Sequence, residues 1–418
     1  MFCALVTTMA SLSDNSEDEE LDDLLSLAAC ADSRSYKEAT SWRNLYLNAE
    51  GRRRRERKLS RDSLLSPKKS PWQKLYSAKN DQAYLTVTGF DVEAFHTLLG
   101  FFAPLFYRNT PWTGNQDGTT YKPLIRLPQH KKGGRKRIIC AHACLGLVLS
   151  WYRFRGAEYT LQGWFGFTGS HANVWLRFGR RMLFKALLEQ PLALPEWPDE
   201  REVEKLKAIV VERHNALRGV FCYMDGLKVF FESCKDLDKQ SMFYNGWQHG
   251  HFVNNLLVFG ADGRIIKCVL NVPGSVHDST MCVWGQVYSE MNEIYHRNGG
   301  KCVVDSAFNA HKAKYLIKSA QTVNKAKDER EIVVNSQATS ARQCAEWGMR
   351  AIQSAFPRLK DKMKYQEDGG PERRMLLKLA VMLYNYRLEL VGLNQIRNTY
   401  VPQWSKDADY MMCSFDDE

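Results

Sequence analysis

The run Gly219-Val220-Phe221-Cys222-Tyr223-Met224-Asp225 decides the fold. Five apolar residues in a row, opened by glycine and closed by a carboxylate, read as a strand buried on both faces. Gly226 is expected to turn the chain, with Leu227–Phe231 starting a second strand. The pattern returns downstream as Lys301-Cys302-Val303-Val304-Asp305. In an α/β sheet, ligand sites collect at the carboxyl ends of strands. A carboxylate carried there by an apolar strand is costly to bury unless something positive meets it.

Working outward, Phe252–Phe259 and Arg264–Val272 read as strands joined at Asp262-Gly263, a strong hairpin signal. Helices are expected at about 201–215, 280–296, 310–320, 341–356 and 371–390. Periodicity alone gives an α/β class. Antiparallel strands, a helix, another strand and then helices, with acids at two strand ends, fit a ribonuclease H-like catalytic domain with a mixed sheet. A third acid, Glu346, follows 41 residues after Asp305 in the helical string Ser340-Ala-Arg-Gln-Cys-Ala-Glu-Trp-Gly-Met-Arg350.

Asp225, Asp305 and Glu346 form a set that phosphoryl-transfer chemistry can use. Three carboxylates brought together repel, and divalent cations relieve that repulsion. The expected cofactors are two divalent metal ions, Mg²⁺ or Mn²⁺. Magnesium prefers hard oxygen ligands and keeps several waters, so few carboxylates suffice. Two such ions clamp the attacking and leaving oxygens of an in-line displacement. In the loop after the second hairpin strand, His277 and Asp278 are expected near the site. Histidine titrates near neutrality and can shuttle protons; the bland alternative is that both residues fix a turn.

Upstream, residues 71–190 read as a helical region and 191–218 as a Pro-rich linker and helix. A helix stopping near Pro104 is expected from Phe90 to Leu105. At 138–189 helix, Gly-rich turn and helix follow in the manner of a helix-turn-helix. Ser170 is expected as the N-cap of the last helix. In a DNA-binding version Ser170 and Asn173 meet base edges, while Arg177, Arg180 and Arg181 grip phosphate. Arg350, Arg358 and Lys360 make a further basic run that can position a DNA backbone.

The charge is uneven. Net charge is +11, yet residues 1–50 hold ten acids against three bases, which leaves +18 on the rest. A basic body suits a polyanion, because Lys and Arg on phosphates release counterions. Residues 1–70 read as a disordered arm, acidic at 13–23 and basic at 52–58, the latter fitting a nuclear localisation signal. Residues 396–418 read as a C-terminal tail. Eleven cysteines without a CxxC pair argue against a disulfide framework. No apolar run reaches membrane-spanning length, so no membrane role is expected.

These motifs carry a resemblance. Tyr223-Met-Asp-Gly226, Phe243-Tyr-Asn-Gly-Trp-Gln-His249, Pro273-Gly-Ser-Val-His-Asp-Ser279, Val303-Val-Asp-Ser-Ala-Phe308 and Ala345-Glu-Trp-Gly-Met-Arg350 stand in order. Together with Phe356-Pro-Arg-Leu-Lys360 and Tyr384-Asn-Tyr-Arg387, they make residues 219–395 resemble the catalytic domain of Harbinger/PIF-type DDE transposases. The glutamate motif departs from the usual spacing, with Leu359-Lys360 thirteen to fourteen residues beyond Glu346. The resemblance implies a metal-dependent endonuclease that cuts and joins double-stranded DNA at transposon ends, with Asp225, Asp305 and Glu346 as catalytic metal ligands. It is also compatible with a domesticated DNA-binding protein that no longer cuts. A separate Myb-like DNA-binding partner and a homo-oligomer are further expectations it brings.

Overall fold

The structure is a computed structural model that describes residues 59–111, 137–232, 237–308, 313–318, 329–363, 369–392 and 394–400. The acidic tail, the 52–58 basic cluster and residues 401–418 lie outside the described residues. Residues 65 onward form one compact unit, and the described part of the preceding unit carries only a short 3-10 turn, Arg61–Ser63.

The helical region runs α1 (Pro71–Ala78), α2 (Asp81–Thr88), α3 (Val92–Arg108), α4 (Ala141–Arg153), α5 (Tyr159–Phe165), α6 (Gly169–Leu188) and α7 (Glu200–Arg213). Asn80, Asp91 and Asp199 cap α2, α3 and α7 by accepting backbone N–H bonds. Helix α3 does not stop at Pro104 but passes through it. Pro104 lies on the exposed face, where solvent can serve the carbonyl it leaves free. Helices α5 and α6 are joined by the tight turn Gly166-Phe167-Thr168, which needs glycine because Gly166 is left-handed at φ 72°. The N-cap of α6 is Thr168 rather than Ser170, which already lies inside the helix.

The sheet holds β1 (Val220–Phe230), β2 (Tyr244–Asn245), β3 (Gly250–Gly260), β4 (Ile265–Pro273), β5 (Lys301–Val304) and β6 (Leu316–Lys318). Gly226 makes no turn: β1 is one eleven-residue strand, and Asp225 sits in its middle opposite Leu257. The second half of β1 is retained because Leu227–Phe230 finds a partner in Phe252–Asn255 of β3. Strand β4 pairs with β3, and the order continues β3-β1-β5-β6. Pairing is antiparallel from β4 through β3 to β1, then parallel through β5 to β6. The turn at Asp262-Gly263 forms as its sequence predicts, with Gly263 at φ 89°. The helix expected at 310–320 is absent among the described residues; Leu316-Ile317-Lys318 instead pair with Cys302–Val304 as a sheet edge.

Helices α8 (Leu237–Phe243), α9 (Asp278–Trp284) and α10 (Val287–Asn298) lie between strands, the last two separated at Gly285-Gln286. Helices α11 (Glu329–Ala355), α12 (Gly369–Val391) and α13 (Gln395–Tyr400) follow the sheet. Helix α11 buries Ala341, Cys344, Ala345, Gly348 and Ile352, mostly small residues at helical spacing that let it lie close on the sheet. Tyr400, expected in a tail, is buried against Tyr223 and Cys344. Among the described residues seven cysteines are all unbridged, and no helix is long and apolar enough to cross a membrane.

Candidate active site

The site starts from register. Strands β1 and β5 are parallel neighbours with Met224 opposite Val304. Asp225 and Asp305 each stand one residue beyond that pair, at the same end of the β1–β5 ladder, and the charge of Asp305 acts on Asp225. Each carboxylate is steadied the same way. The Gly226 N–H donates to Asp225 Oδ1 at 2.8 Å, and the Ser306 N–H donates to Asp305 Oδ1 at 2.6 Å.

Alternation along β1 assigns the faces. Tyr223 and Asp225 share one face, Met224 and Gly226 the other. The Asp225 face is turned to α11 and α13, since Tyr223 meets Tyr400 and interacts with Cys344. The Gly226 face is turned to α9, since the Cys282 thiol lies 3.7 Å from the Met224 sulfur. Asp278, the first residue of α9, therefore approaches Asp225 across Gly226. A Cβ on Gly226 would come within 3.1 Å of both Asp278 carboxylate oxygens. Glycine at 226 leaves room for that approach, which a Cβ would tighten by a few tenths of an ångström.

Electrostatics follow from this crowding. Burial pushes the Asp225 carboxyl up to about 6, and the charges of Asp278 and Asp305 push the same way; the Gly226 N–H and the Arg342 guanidinium pull against them. Burial also raises Asp278, and Asp305 adds to it. The side-chain amide of Asn254, which donates to Asp278 Oδ1 at 2.6 Å, opposes the rise, as do Lys228 and His277. His277 is the N-cap residue of α9 and makes no side-chain cap bond.

The third predicted acid is placed differently. Glu346 sits on α11, on the Asp225 side of the sheet, and is 37% exposed. Its Oε1 is held at 2.8 Å by Arg342 Nη2, one turn earlier on the helix. Arg342 thus pairs with Glu346, and its charge also acts on Asp225. Among the described residues no three His, Cys, Asp or Glu side chains stand in metal-holding geometry. Glu329 and Glu331, the other acids at the start of α11, are exposed in its first turn.

Arg342, Asn254 and Lys228 were not singled out from sequence. Arg342 carries a signal, the i, i+4 spacing to Glu346. So does Asn254, a polar residue inside the apolar run Phe252–Phe259.

The proposed DNA contacts divide. Ser170, Asn173 and Arg177 form an exposed stripe along α6, and Arg350 and Lys360 are exposed. Arg181 is half-buried. Arg180 corrects the expectation of a surface phosphate grip: it is buried, its guanidinium 3.6 Å from the Trp151 ring centre. Arg358 is engaged internally, ion-paired with Glu158 at 3.2 Å and Asp361 at 3.5 Å.

A family model described as DDE superfamily endonuclease matches residues 224–385. That segment opens one residue before Asp225 and contains Asp278, Asp305 and Glu346. Over it the chain is similar to that family, which supports a nuclease or transposase-like function acting on DNA. No curated protein and no solved structure matches the chain.

Proposed function

We propose that the chain is a Harbinger/PIF-type transposase, a metal-dependent DNA endonuclease that cuts and joins DNA at transposon ends. The observation that carries this reading is the side-by-side placement of Asp225 and Asp305 one residue past Met224 and Val304. The strand order β4-β3-β1-β5-β6, antiparallel and then parallel, supports a ribonuclease H-like assignment. The paired helices α5 and α6, with an exposed Ser170-Asn173-Arg177 stripe, support a helix-turn-helix contact to DNA. The basic cluster at 52–58 supports entry into the nucleus.

The donor set fits a pair of hard divalent cations: two adjacent carboxylates, one of them pushed up to about 6, form a site short of positive charge. Asp225 and Asp305 would hold the ions from the sheet, with Glu346 joining from α11 once Arg342 releases it. A Mg²⁺ or Mn²⁺ pair held there would supply charge neutralisation at the phosphate and activation of the attacking hydroxyl. The chain's own contribution is positional. The Gly226 and Ser306 amides fix the two aspartates, Asn254 fixes Asp278, and the neighbouring strands β1 and β5 carry Asp225 and Asp305 to one end of their ladder.

The alternative reading, a DNA-binding protein of transposase origin without cleavage, draws on the Arg342–Glu346 ion pair, which occupies the third acid. Labelled duplex DNA carrying inverted-repeat ends, incubated with the full chain and Mg²⁺ or Mn²⁺, separates them. Cleavage by the wild type that Asp225→Ala abolishes supports the nuclease. Cleavage by neither, with salt-sensitive DNA binding retained by both, supports the binding protein, and equal cleavage by both overturns the assignment of Asp225.

A further inference from the structure

Another charged site lies apart from the aspartates, where the helical region meets the turn after α11. It is a cleft of about 410 Å³ with Arg177, Arg180, Arg358, Lys362 and Arg373 among its lining, against the acids Glu158, Glu232 and Asp361. Among the described residues of the lining, five are basic and three acidic.

Two of the acids are already shared. Glu158 accepts from Arg358 at 3.2 Å and from the Trp151 indole N–H at 3.4 Å. Asp361 pairs with Arg358 and, at 2.9 Å, with Arg155. Arg180 gets none of them. It is 6% exposed, and its Nε and Nη2 are buried without a hydrogen-bond partner. Desolvation draws its pKa down to about 10, with Tyr152, Glu158 and Glu372 resisting at longer range and Arg358 adding to the fall. The guanidinium remains charged at neutral pH. A buried charge whose donors are unmet is costly unless a ligand completes it.

Its setting explains how it is tolerated and what it can bind. Arg180 lies over the Trp151 ring at 3.6 Å, and Arg358 lies over the same ring at 4.9 Å. An indole face attracts both cations and eases their mutual repulsion. A guanidinium stacked on a ring keeps its N–H edge free, and that edge matches the oxygens of a phosphate. The volume falls in the range of small-molecule sites, roughly 300–1,000 Å³, so it has room for more than one phosphate.

We propose that this cleft is a phosphate-binding site, with Arg180 as its central donor and the exposed Lys362 at its rim. The phosphate is supplied either by a DNA backbone or by a free phosphate or polyphosphate. The inference does not rest on the carboxylate site.

The test uses the full chain in EDTA at fixed ionic strength. Calorimetric titration with inorganic phosphate and tripolyphosphate, and duplex DNA binding by fluorescence anisotropy, are run on wild type, Arg180→Met and Lys362→Gln. Wild type is expected to bind tripolyphosphate at one site, Arg180→Met to lose at least tenfold in affinity, and Lys362→Gln about threefold. Lys362 is exposed, so its variant remains informative where Arg180→Met fails to fold. If both variants also weaken DNA binding and tripolyphosphate competes with DNA, the backbone is the source. If DNA binding is unchanged while polyphosphate binding falls, the source is a free phosphate. The inference is overturned if neither phosphate compound binds above a chloride control and DNA affinity is the same for wild type and Lys362→Gln.

Discussion

Arg342 Nη2 lies 2.8 Å from Glu346 Oε1, and the charge of the same guanidinium reaches Asp225. One cation therefore acts on an acid of α11 by direct pairing and on an acid of β1 through its charge. Where divalent ions enter, Arg342 is the group with which they compete. Arg342→Gln removes a charge that holds the Asp225 pKa down, so that pKa is expected to rise above about 6. The acid limb of the cleavage profile then moves to higher pH. Glu346 is freed at the same time, and Mn²⁺ affinity is expected to rise several-fold at pH 8. An unchanged acid limb together with unchanged Mn²⁺ affinity would show that Arg342 does not gate the site.

Asp225→Asn should separate stability from activity. The carboxyl holds its proton more tightly in the fold (about 6) than at its ordinary value of 3.8. Its contribution to stability is therefore present in full below pH 3.8 and is lost as pH rises through 6. The asparagine variant escapes that loss. Its unfolding free energy is expected to match wild type near pH 3.8 and exceed it above pH 6, by at most about 3 kcal/mol for a pKa raised from 3.8 to about 6, with the melting temperature moving the same way. Added Mn²⁺ should stabilise wild type and close the gap, while the variant cleaves nothing. Thermal melts at pH 4, 5, 6 and 7.5, with and without Mn²⁺, check both signs.

Gly226→Ala tests the approach of Asp278. The new Cβ would meet both carboxylate oxygens at 3.1 Å and the Asn254 amide oxygen at 3.3 Å. Asp278 must retreat by a few tenths of an ångström, which breaks its spacing to Asp225. Cleavage is expected to fall at least tenfold with unfolding free energy lowered by only about 1 kcal/mol. A variant as active as wild type would remove Asp278 from the site.

The strands that carry the two aspartates were legible because a continuous apolar run ending on an acid has few other readings. Gly226 misled because glycine usually ends a strand. Here it stays in one, since the residue that needs the space, Asp278, is 52 positions away. The strand Leu316–Lys318 was hidden for a similar reason, because three residues show no period and become a strand only by pairing with Cys302–Val304. Arg180 read as a surface cation because arginine usually is one. Its burial depends on Trp151, which comes from a different helix. Local pattern thus found the strands of Asp225 and Asp305 but not that β1 runs on past Asp225, and long-range packing decided Arg342, Asp278 and Arg180.

The close fit of α11 on the sheet gives a last test, in which two effects oppose. Gly348 lies in the middle of α11, and a Cβ there would sit 2.6 Å from the Phe259 ring, itself fully buried. Alanine gains about 1 kcal/mol in helix propensity over glycine. Overpacking a closed core costs roughly 1–3 kcal/mol, and Phe259 has no solvent to move into. The steric cost should win, so Gly348→Ala is expected to be less stable than wild type. Gly100→Ala is the control: Gly100 is also inside a helix, but a Cβ there meets nothing within 4 Å, so only the propensity gain remains and stability should rise. Because Gly348 is two residues from Glu346, its variant should also lose cleavage, whereas Gly100→Ala should not. Denaturant unfolding of the two proteins reads the opposite signs directly, and a Gly348→Ala protein more stable than wild type would mean that α11 is not seated on Phe259.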